Sequence, residues 1–450
     1  MPFFRSFAVL LLAVLTTAAN SSQAQGQSYT LEEAVAYGLE HRTELQNATF
    51  DTYIAEQQVD EILSTGFPQL SGTASGQWNF RVQQFLLPNA LITGNPEATG
   101  FQALQAGTPI NGSVGVNLDQ LLFDGTFFIG LKAAREFVDI SEMQRAMTEE
   151  QLRYDITSAY YQALISDRQI ALLEANVDRL KTMYDETKSL FDEGFVEKLD
   201  VERLQVNYNN LLLDLNNAQR LAALSRNLLK FQMGLPVSTD IDLETDVKSL
   251  EINMDEELLQ DDFSYDNRIE YQLINQQIKL EGYNTRRFRA GYVPSAYLFG
   301  NYSYLFNGDF AENAEWVGFD VGSLGLRINV PLFDGFRKRS LIQQSKLTIK
   351  KLENQSLQLE SAIDLELENT NVQLRNAKTS LDALKKNSDL ARKVYDVSRT
   401  KYREGVGSSL EVNDASTQLK TAETNYLNGL LQYYIAKIAW DKARGKFLSN

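Results

Sequence analysis

Glu411 and Asp414 are the two side chains whose type and spacing best suit chemistry in this chain of 450 residues. On a helix that spacing places both carboxylates on one face, beside an apolar stripe that starts at Val412 and Ala415. Ser408 and Glu411 also have the spacing of a capping box, and an acid in a first helical turn favours the helix dipole. That reading accounts for Glu411 and leaves Asp414 unexplained.

Covalent chemistry finds little support. The chain has no cysteine, and His41 is its one histidine, so thiol nucleophiles, thiolate zinc sites and Ser-His networks lack their residues. His41 reads as a helix-surface residue, and the adjacent acids Asp261 and Asp262 read as solvated loop charge. With no convergent acid pair in view, neither an enzyme nor a cofactor or metal site is expected. The 43 Lys and Arg against 59 Asp and Glu leave a net charge of −16, which argues against nucleic acid as a partner, because phosphate binding draws on Lys and Arg.

The elements that must position these residues are written twice. Leu122-Phe123-Asp124-Gly125 recurs 210 residues later as Leu332-Phe333-Asp334-Gly335, and beyond it the offset becomes 211: Glu193-Gly194 matches Glu404-Gly405, and Gly234 matches Gly445. Upstream, Gly66-Phe67-Pro68 resembles Gly291-Tyr292-Val293-Pro294 at an offset near 226. The first copy therefore carries extra residues between its proline and its Phe-Asp-Gly. Both copies follow one plan of helix, strand, loop, strand, long helix, turn and helix.

In the first copy Leu152, Ile156, Ala159, Ala163, Ser166, Ile170, Leu173, Val177, Leu180 and Tyr184 step by four and three, and Ile363 through Tyr395 repeat the pattern in the second. This is the 3.5-residue period of a supercoiled seam. Shorter seams follow each turn, through Val201, Leu204, Tyr208 and Leu211 and through Val412, Ala415, Leu419 and Ala422. Residues 131–190 contain no proline or glycine, and 60 such residues as a helix would span about 90 Å. Between the helices, two-residue alternation predicts strands at Gln69 to Arg81, Ser113 to Asp119, Ala296 to Phe306 and Ser323 to Val330, with loops at Phe85 to Ile110 and Asn307 to Gly322.

The N-terminus reads as an export signal, with Arg5, the apolar stretch Phe7 to Leu15 and small residues ending at Ala24. That stretch is too short for a spanning helix, and no later segment is apolar enough. A membrane-crossing form would have to be a closed β-barrel, and four strands are too few to close one. The division expected is a signal peptide over 1–24, a first repeat over 25–234, a linker over 235–265 and a second repeat over 266–450.

Together these features resemble the TolC-like outer membrane efflux proteins over the whole mature chain. Thr30-Leu31-Glu32-Glu33-Ala34 looks like that family's opening helix, and Arg268-Ile269-Glu270, Pro68 and Pro294 at helix-to-strand junctions, and the paired Phe-Asp-Gly and Gly turns follow its order. His41-Arg42 departs from the Asn-Pro frequent there, leaving the helix less sharply punctuated. The resemblance implies a mainly α fold with a membrane β-barrel contribution, trimerising into a 12-stranded barrel and a helical tunnel. It implies a passive exit duct for efflux or secretion, held in outer-membrane lipid and coupled through a periplasmic adaptor to an inner-membrane pump. Gly194-Phe195-Val196 and Gly405-Val406-Gly407 would form the adaptor-docking tip, and Glu411 with Asp414 an acidic ring at the periplasmic gate. The first repeat has Asp200 and Arg203 at the matching positions, and Gly407 stands where the family often has a basic residue. A secreted coiled-coil scaffold would explain the heptads but not the strands, and a carboxylate hydrolase would explain only acidity and export.

Overall fold

The computed structural model describes residues 27–105, 107–244, 263–309 and 315–447. The export signal, Asp261, Asp262 and much of the expected linker lie outside these residues. The elements run β1 (Gln27–Tyr29), α1 (Leu31–His41), α2 (Thr43–Ser64), β2 (Gln69–Trp78), β3 (Gln84–Pro88), α3 (Asn89–Thr93), β4 (Phe101–Gln105), β5 (Ile110–Phe123), α4 (Gly125–Asp192), α5 (Lys198–Met233), β6 (Ile241–Leu243), a 3-10 turn at Tyr265–Asn267, α6 (Ile269–Ala290), β7 (Ser295–Gly308), β8 (Val317–Asn329), α7 (Arg337–Arg403) and α8 (Ser409–Ala443). Contacts divide them into two compact units, one built from 1–50, 142–273 and 357–450, the other from 51–141 and 274–356.

The first unit is helical. The heptad seams are its core: Leu173, Val177 and Leu180 of α4, Leu204 and Leu211 of α5, Tyr395 of α7, and Val412, Ala415 and Leu419 of α8 are buried in one cluster. A second cluster joins Ile165 to Leu374, Leu381, Leu430, Tyr433 and Tyr434. A third packs α1 against α4 and α5 through Ala34, Leu152, Ile156, Leu229 and Met233. Gly38 is required there, since a Cβ would strike the Ile156 side chain. α1 opens with a capping box, Thr30 Oγ1 accepting from the Glu33 amide and Glu33 accepting from the Thr30 amide. It ends at Arg42 in extended conformation (φ −71°, ψ 119°), so the break from α2 is sharp without the Asn-Pro pair. His41 is exposed and stacks on Tyr37.

The second unit holds an antiparallel sheet in the order β2-β5-β7-β8. The expected strands are all present, with two corrections. β2 stops at Trp78 rather than Arg81, because Asn79 turns to bond Thr108 and Pro109. Residues 85–110 are not all loop, since β3 and β4 pair there and α3 joins them; the other predicted loop shortens as β7 and β8 extend to Gly308 and back to Val317. Its apolar face carries Leu70, Val114, Val116, Tyr302, Tyr304, Leu324 and Leu326, all exposed. On the other face Ser75 bonds Ser113, Asn301 donates to Asn117, and Arg327 pairs with Asp119 at 3.1 Å.

Candidate functional site

Both reversals of the helical unit are closed by the same backbone device. Gly194 (φ 85°) and Gly405 (φ 75°) sit in the left-handed region. The Phe195 amide bonds the Leu190 carbonyl at 2.9 Å and the Gly194 amide the Phe191 carbonyl, while Val406 and Gly405 bond Lys401 and Tyr402 in the same way. This is the glycine-dependent Schellman cap. Phe195 and Val406 are about three-quarters exposed, at 75% and 77%, and Val196 is half-buried. Gly407 has its own reason: its amide shares the Lys401 carbonyl, and a Cβ would sit 3.0 Å from the Lys401 Cβ and the Tyr402 nitrogen.

Glu411 and Asp414 lie in the first turns of α8, where burial of Val412 and Ala415 turns both carboxylates outward. Ser408 Oγ accepts the Glu411 amide, and the Lys401 ammonium lies 3.8 Å from the Glu411 carboxylate. Asp414 is exposed and has no ion-pair partner among the described residues. The matching Asp200 and Arg203 are 4.0 Å apart, so the first copy neutralises the charge that the second leaves open.

The heptad reading missed the polar links that tie these helices together. Glu423, 5% exposed, receives Arg179 of α4 at 3.3 Å and Arg392 of α7 at 2.7 Å. Asn207 donates to Asn413, Lys420 pairs with Asp214, and Thr187 bonds Tyr402. Period reading reports apolar positions, and Glu423, Asn207, Asn413, Lys420 and Asp214 stand between them. A second omission was legible: Arg42-Thr43-Glu44 recurs as Arg268-Ile269-Glu270, 226 residues on. Arg268 is buried, donates to the Ala443 carbonyl at 2.8 Å, and pairs with Glu270 and Glu366 at 3.2 and 2.9 Å. Burial works against its charge, but the two carboxylates outweigh that and hold the guanidinium above its ordinary pKa. Burial pushes Glu270 upward too, and the Arg268 and backbone hydrogen bonds more than reverse it, so Glu270 stays below its ordinary value. Buried Glu150 is raised by desolvation and by the nearby Glu270.

In the second unit the Phe-Asp-Gly sites stand between a strand and the long helix that follows it. Asp124 Oδ1 accepts the Thr126 amide and hydroxyl, both at 2.7 Å, at the start of α4. Asp334 accepts the Lys338 amide at 3.0 Å and its ammonium at 3.3 Å, and the amide bond foremost holds it below its ordinary pKa. Phe123 ends β5, and Phe333 is exposed beside Phe336. Gly125 begins α4 directly, whereas Gly335 and Phe336 both have positive φ before α7 starts. Pro68 and Pro294 each follow a turn that ends a helix and precede β2 and β7 by one residue. Among the described residues no His, Cys, Asp and Glu group could hold a metal ion, and no helix is long and apolar enough to cross a membrane.

An open antiparallel sheet with an exposed apolar face, joined through capped aspartates to helices of 68 and 67 residues, is the subunit fold of outer-membrane channels. Residues 34–235 and 310–446 match the family model of the outer membrane efflux proteins. The chain is 22% identical to the outer membrane protein TolC of Vibrio cholerae over 341 residues, covering 74% of this chain and 76% of that one. Its fold matches VceC of Vibrio cholerae with a TM-score of 0.69 at 14% identity, covering 92% of this chain and 96% of that chain. It matches the MtrE outer membrane channel of Neisseria gonorrhoeae with a TM-score of 0.70 at 17% identity, covering 93% and 89%. The chain belongs to the outer membrane efflux protein family, and its place is the outer membrane of a Gram-negative cell.

Proposed function

We propose that three copies of this chain close into a passive exit duct, and that a periplasmic adaptor docks on its helical tips and couples it to an inner-membrane pump. One observation carries the reading. β2 and β8, the outer strands of the sheet, pair on one side only along 10 and 13 residues, while the sheet's apolar face is exposed. Lipid tolerates no unpaired backbone, so such a sheet enters a membrane only as part of a closed barrel. β2 and β8 run antiparallel to each other across the four strands, so copies can join edge to edge without breaking the alternation. Family membership favours three copies, and hence twelve strands.

The helices support the same closure. Besides its internal seam, α5 exposes Val206, Leu213, Leu221, Leu224 and Leu228, and α7 exposes Leu357, Leu365 and Val372. A second apolar stripe on a helix that already packs within its chain suits a wall continued by the next copy. Exposed Phe195 and Val406 suit the adaptor contact, and Glu411 with Asp414 suits an acidic ring at the periplasmic end, two carboxylates from each chain. The enzyme and scaffold readings would leave the apolar face without purpose.

The test has three parts. Detergent-purified protein should have the native mass of three chains. Protease added to intact cells should cut between β2 and β5, between β7 and β8, or nowhere; cutting at Gly194 or Gly405 reverses the topology and sinks the reading. Phe195→Asp with Val406→Asp should abolish transport while the trimer assembles, and normal transport would leave these turns a capping role alone.

A further inference from the structure

The segment joining β2 to β5 carries little charge. Residues 79–109 include two charged side chains, Arg81 at the base and Glu97. Its two ends are tied together at the base: the Asn79 amide bonds the Pro109 carbonyl at 2.7 Å, and the Asn79 side chain bonds the Thr108 carbonyl. Above that base β3 and β4 pair only with each other. Phe85 lies opposite Leu104, and Leu86 opposite Ala103, so successive pairs place apolar groups on both faces of the hairpin. Phe85, Leu86, Leu91 and Phe101 are all exposed, the last three by 70% or more.

A two-stranded hairpin apolar on both faces and open at both edges is not stable alone in water. A hydrocarbon environment would leave its outer backbone edges unpaired, and an anionic lipid surface would find one cation to attract, Arg81 at the base, and none on the hairpin itself. An occupant that supplies both apolar surface and a strand edge, and that brings no unmatched charge, is another copy of the same hairpin. The hairpin leaves the sheet from β2, the edge strand where a neighbouring chain must join.

Resting on the trimeric reading above, we propose that the β3-α3-β4 hairpins of the three copies associate across the outward end of the barrel and form a nonpolar closure there. Apolar constrictions gate by excluding water, so this end would hold back small hydrophilic solutes until the hairpins part.

Because the chain has no cysteine, Leu91→Cys places a single thiol in each purified, membrane-reconstituted copy. Oxidation should link most of the protein into two-chain species on a non-reducing gel. Leu86→Glu with Leu91→Glu and Phe101→Glu should raise single-channel conductance at least about threefold, since it adds charge where the copies meet. A native mass of three chains with no cross-link, or with unchanged conductance in the triple variant, overturns the proposal and leaves the trimer standing. Quenching of a fluorophore on Cys-substituted Leu91 by nitroxide-labelled lipid, without cross-linking, would place the hairpin on the membrane and overturn it as well. A native mass of one chain removes the trimer and this closure together.

Discussion

Arg42 and Arg268 hold the same place in the two copies of the repeat and are neutralised by different means. Each stands at the start of a helix and donates to a carbonyl in the last turn of a returning helix, Arg42 to Phe231 at 2.7 Å and Arg268 to Ala443 at 2.8 Å. Behind each, a glycine with positive φ lies against the carbonyl one residue before the arginine: Gly234 against His41, Gly445 against Asn267. There the likeness ends. Arg42 lies 4.3 Å over the Phe231 ring, and its glutamate is 3.8 Å away and mostly in solvent. In the second copy Lys442 replaces Phe231 at the offset of 211, and Arg268 is held by Glu270 and Glu366 with Glu150 close by. The two positions share what backbone geometry requires and differ in their charges.

The largest effect should come from breaking the second clamp. Arg268→Ala would strand Glu270 and Glu366 around a buried position, and removing one partner of such a network costs about 3–5 kcal/mol. Arg42→Ala loses one carbonyl bond and a cation–π contact, about 1–2 kcal/mol. Denaturant unfolding of both variants reads the difference, and equal losses would mean that the two clamps are one device after all.

The glycines extend the comparison. Gly445→Ala drives a Cβ into the Asn267 carbonyl, Gly234→Ala meets the His41 carbonyl at 3.3 Å, and Gly194→Ala meets nothing. All three have positive φ, which alone costs a Cβ-bearing residue about 1–2 kcal/mol. Thermal stability should therefore fall most for Gly445→Ala, less for Gly234→Ala and least for Gly194→Ala. The reverse order would show that turn closure, not close approach, governs these positions.

Regular features were the legible ones. Leu152, Ile156 and Ala159 announce a seam because a packed helix repeats its demand for apolar residues every 3.5 positions, and their burial follows. Gly194 and Gly405 announce turns because few other residues take their φ. Glu423 gave no such signal: its burial depends on Arg179 and Arg392, which lie 244 and 31 residues away. The change of offset from 210 to 211 did carry information that went unused. Between the two Phe-Asp-Gly sites and the seams lies Phe336, the one non-glycine residue with positive φ among the described residues, where an extra residue can be taken up just before α7 without disturbing the helix register. The hairpin β3-β4 was hidden because it falls among the extra residues of the first copy, where the repeat offers no pattern to compare.

A smaller effect tests the charge that Glu150 adds to the second clamp. Its pKa is raised above the ordinary 4.5 by burial and then by Glu270. The folded state thus prefers the protonated acid, and its contribution to stability is full at low pH and lost as pH rises through the raised value. Glu150→Gln removes the charge that burial and Glu270 oppose, so it should raise the unfolding temperature at about pH 7 to 8. That gain should vanish as pH falls below 4.5, where the native acid is itself neutral. A gain that persists in acid would mean that the carboxylate matters for its shape and not its charge.

The last comparison should leave folding untouched and appear only in conduction. Asp200 and Arg203 form an ion pair three residues apart, whereas Glu411 and Asp414 occupy the same positions in the second copy with the same outward direction and no compensating arginine. Lys401 reaches Glu411 at 3.8 Å with both side chains about half exposed, so solvent screens that contact and it holds little. If the second turn faces the axis of the duct, its open carboxylates should favour cations there, and the paired residues of the first turn should favour neither sign. Glu411→Gln with Asp414→Asn should then move the reversal potential of purified protein in a planar bilayer toward zero under a salt gradient and weaken block by multivalent cations. Asp200→Asn with Arg203→Gln should move neither. Because α8 keeps its Ser408 cap and its buried Val412 and Ala415 in the first variant, the native mass should not change. An unchanged reversal potential in the first variant would mean that Glu411 serves only the helix start and that Asp414 faces away from the path of the ions.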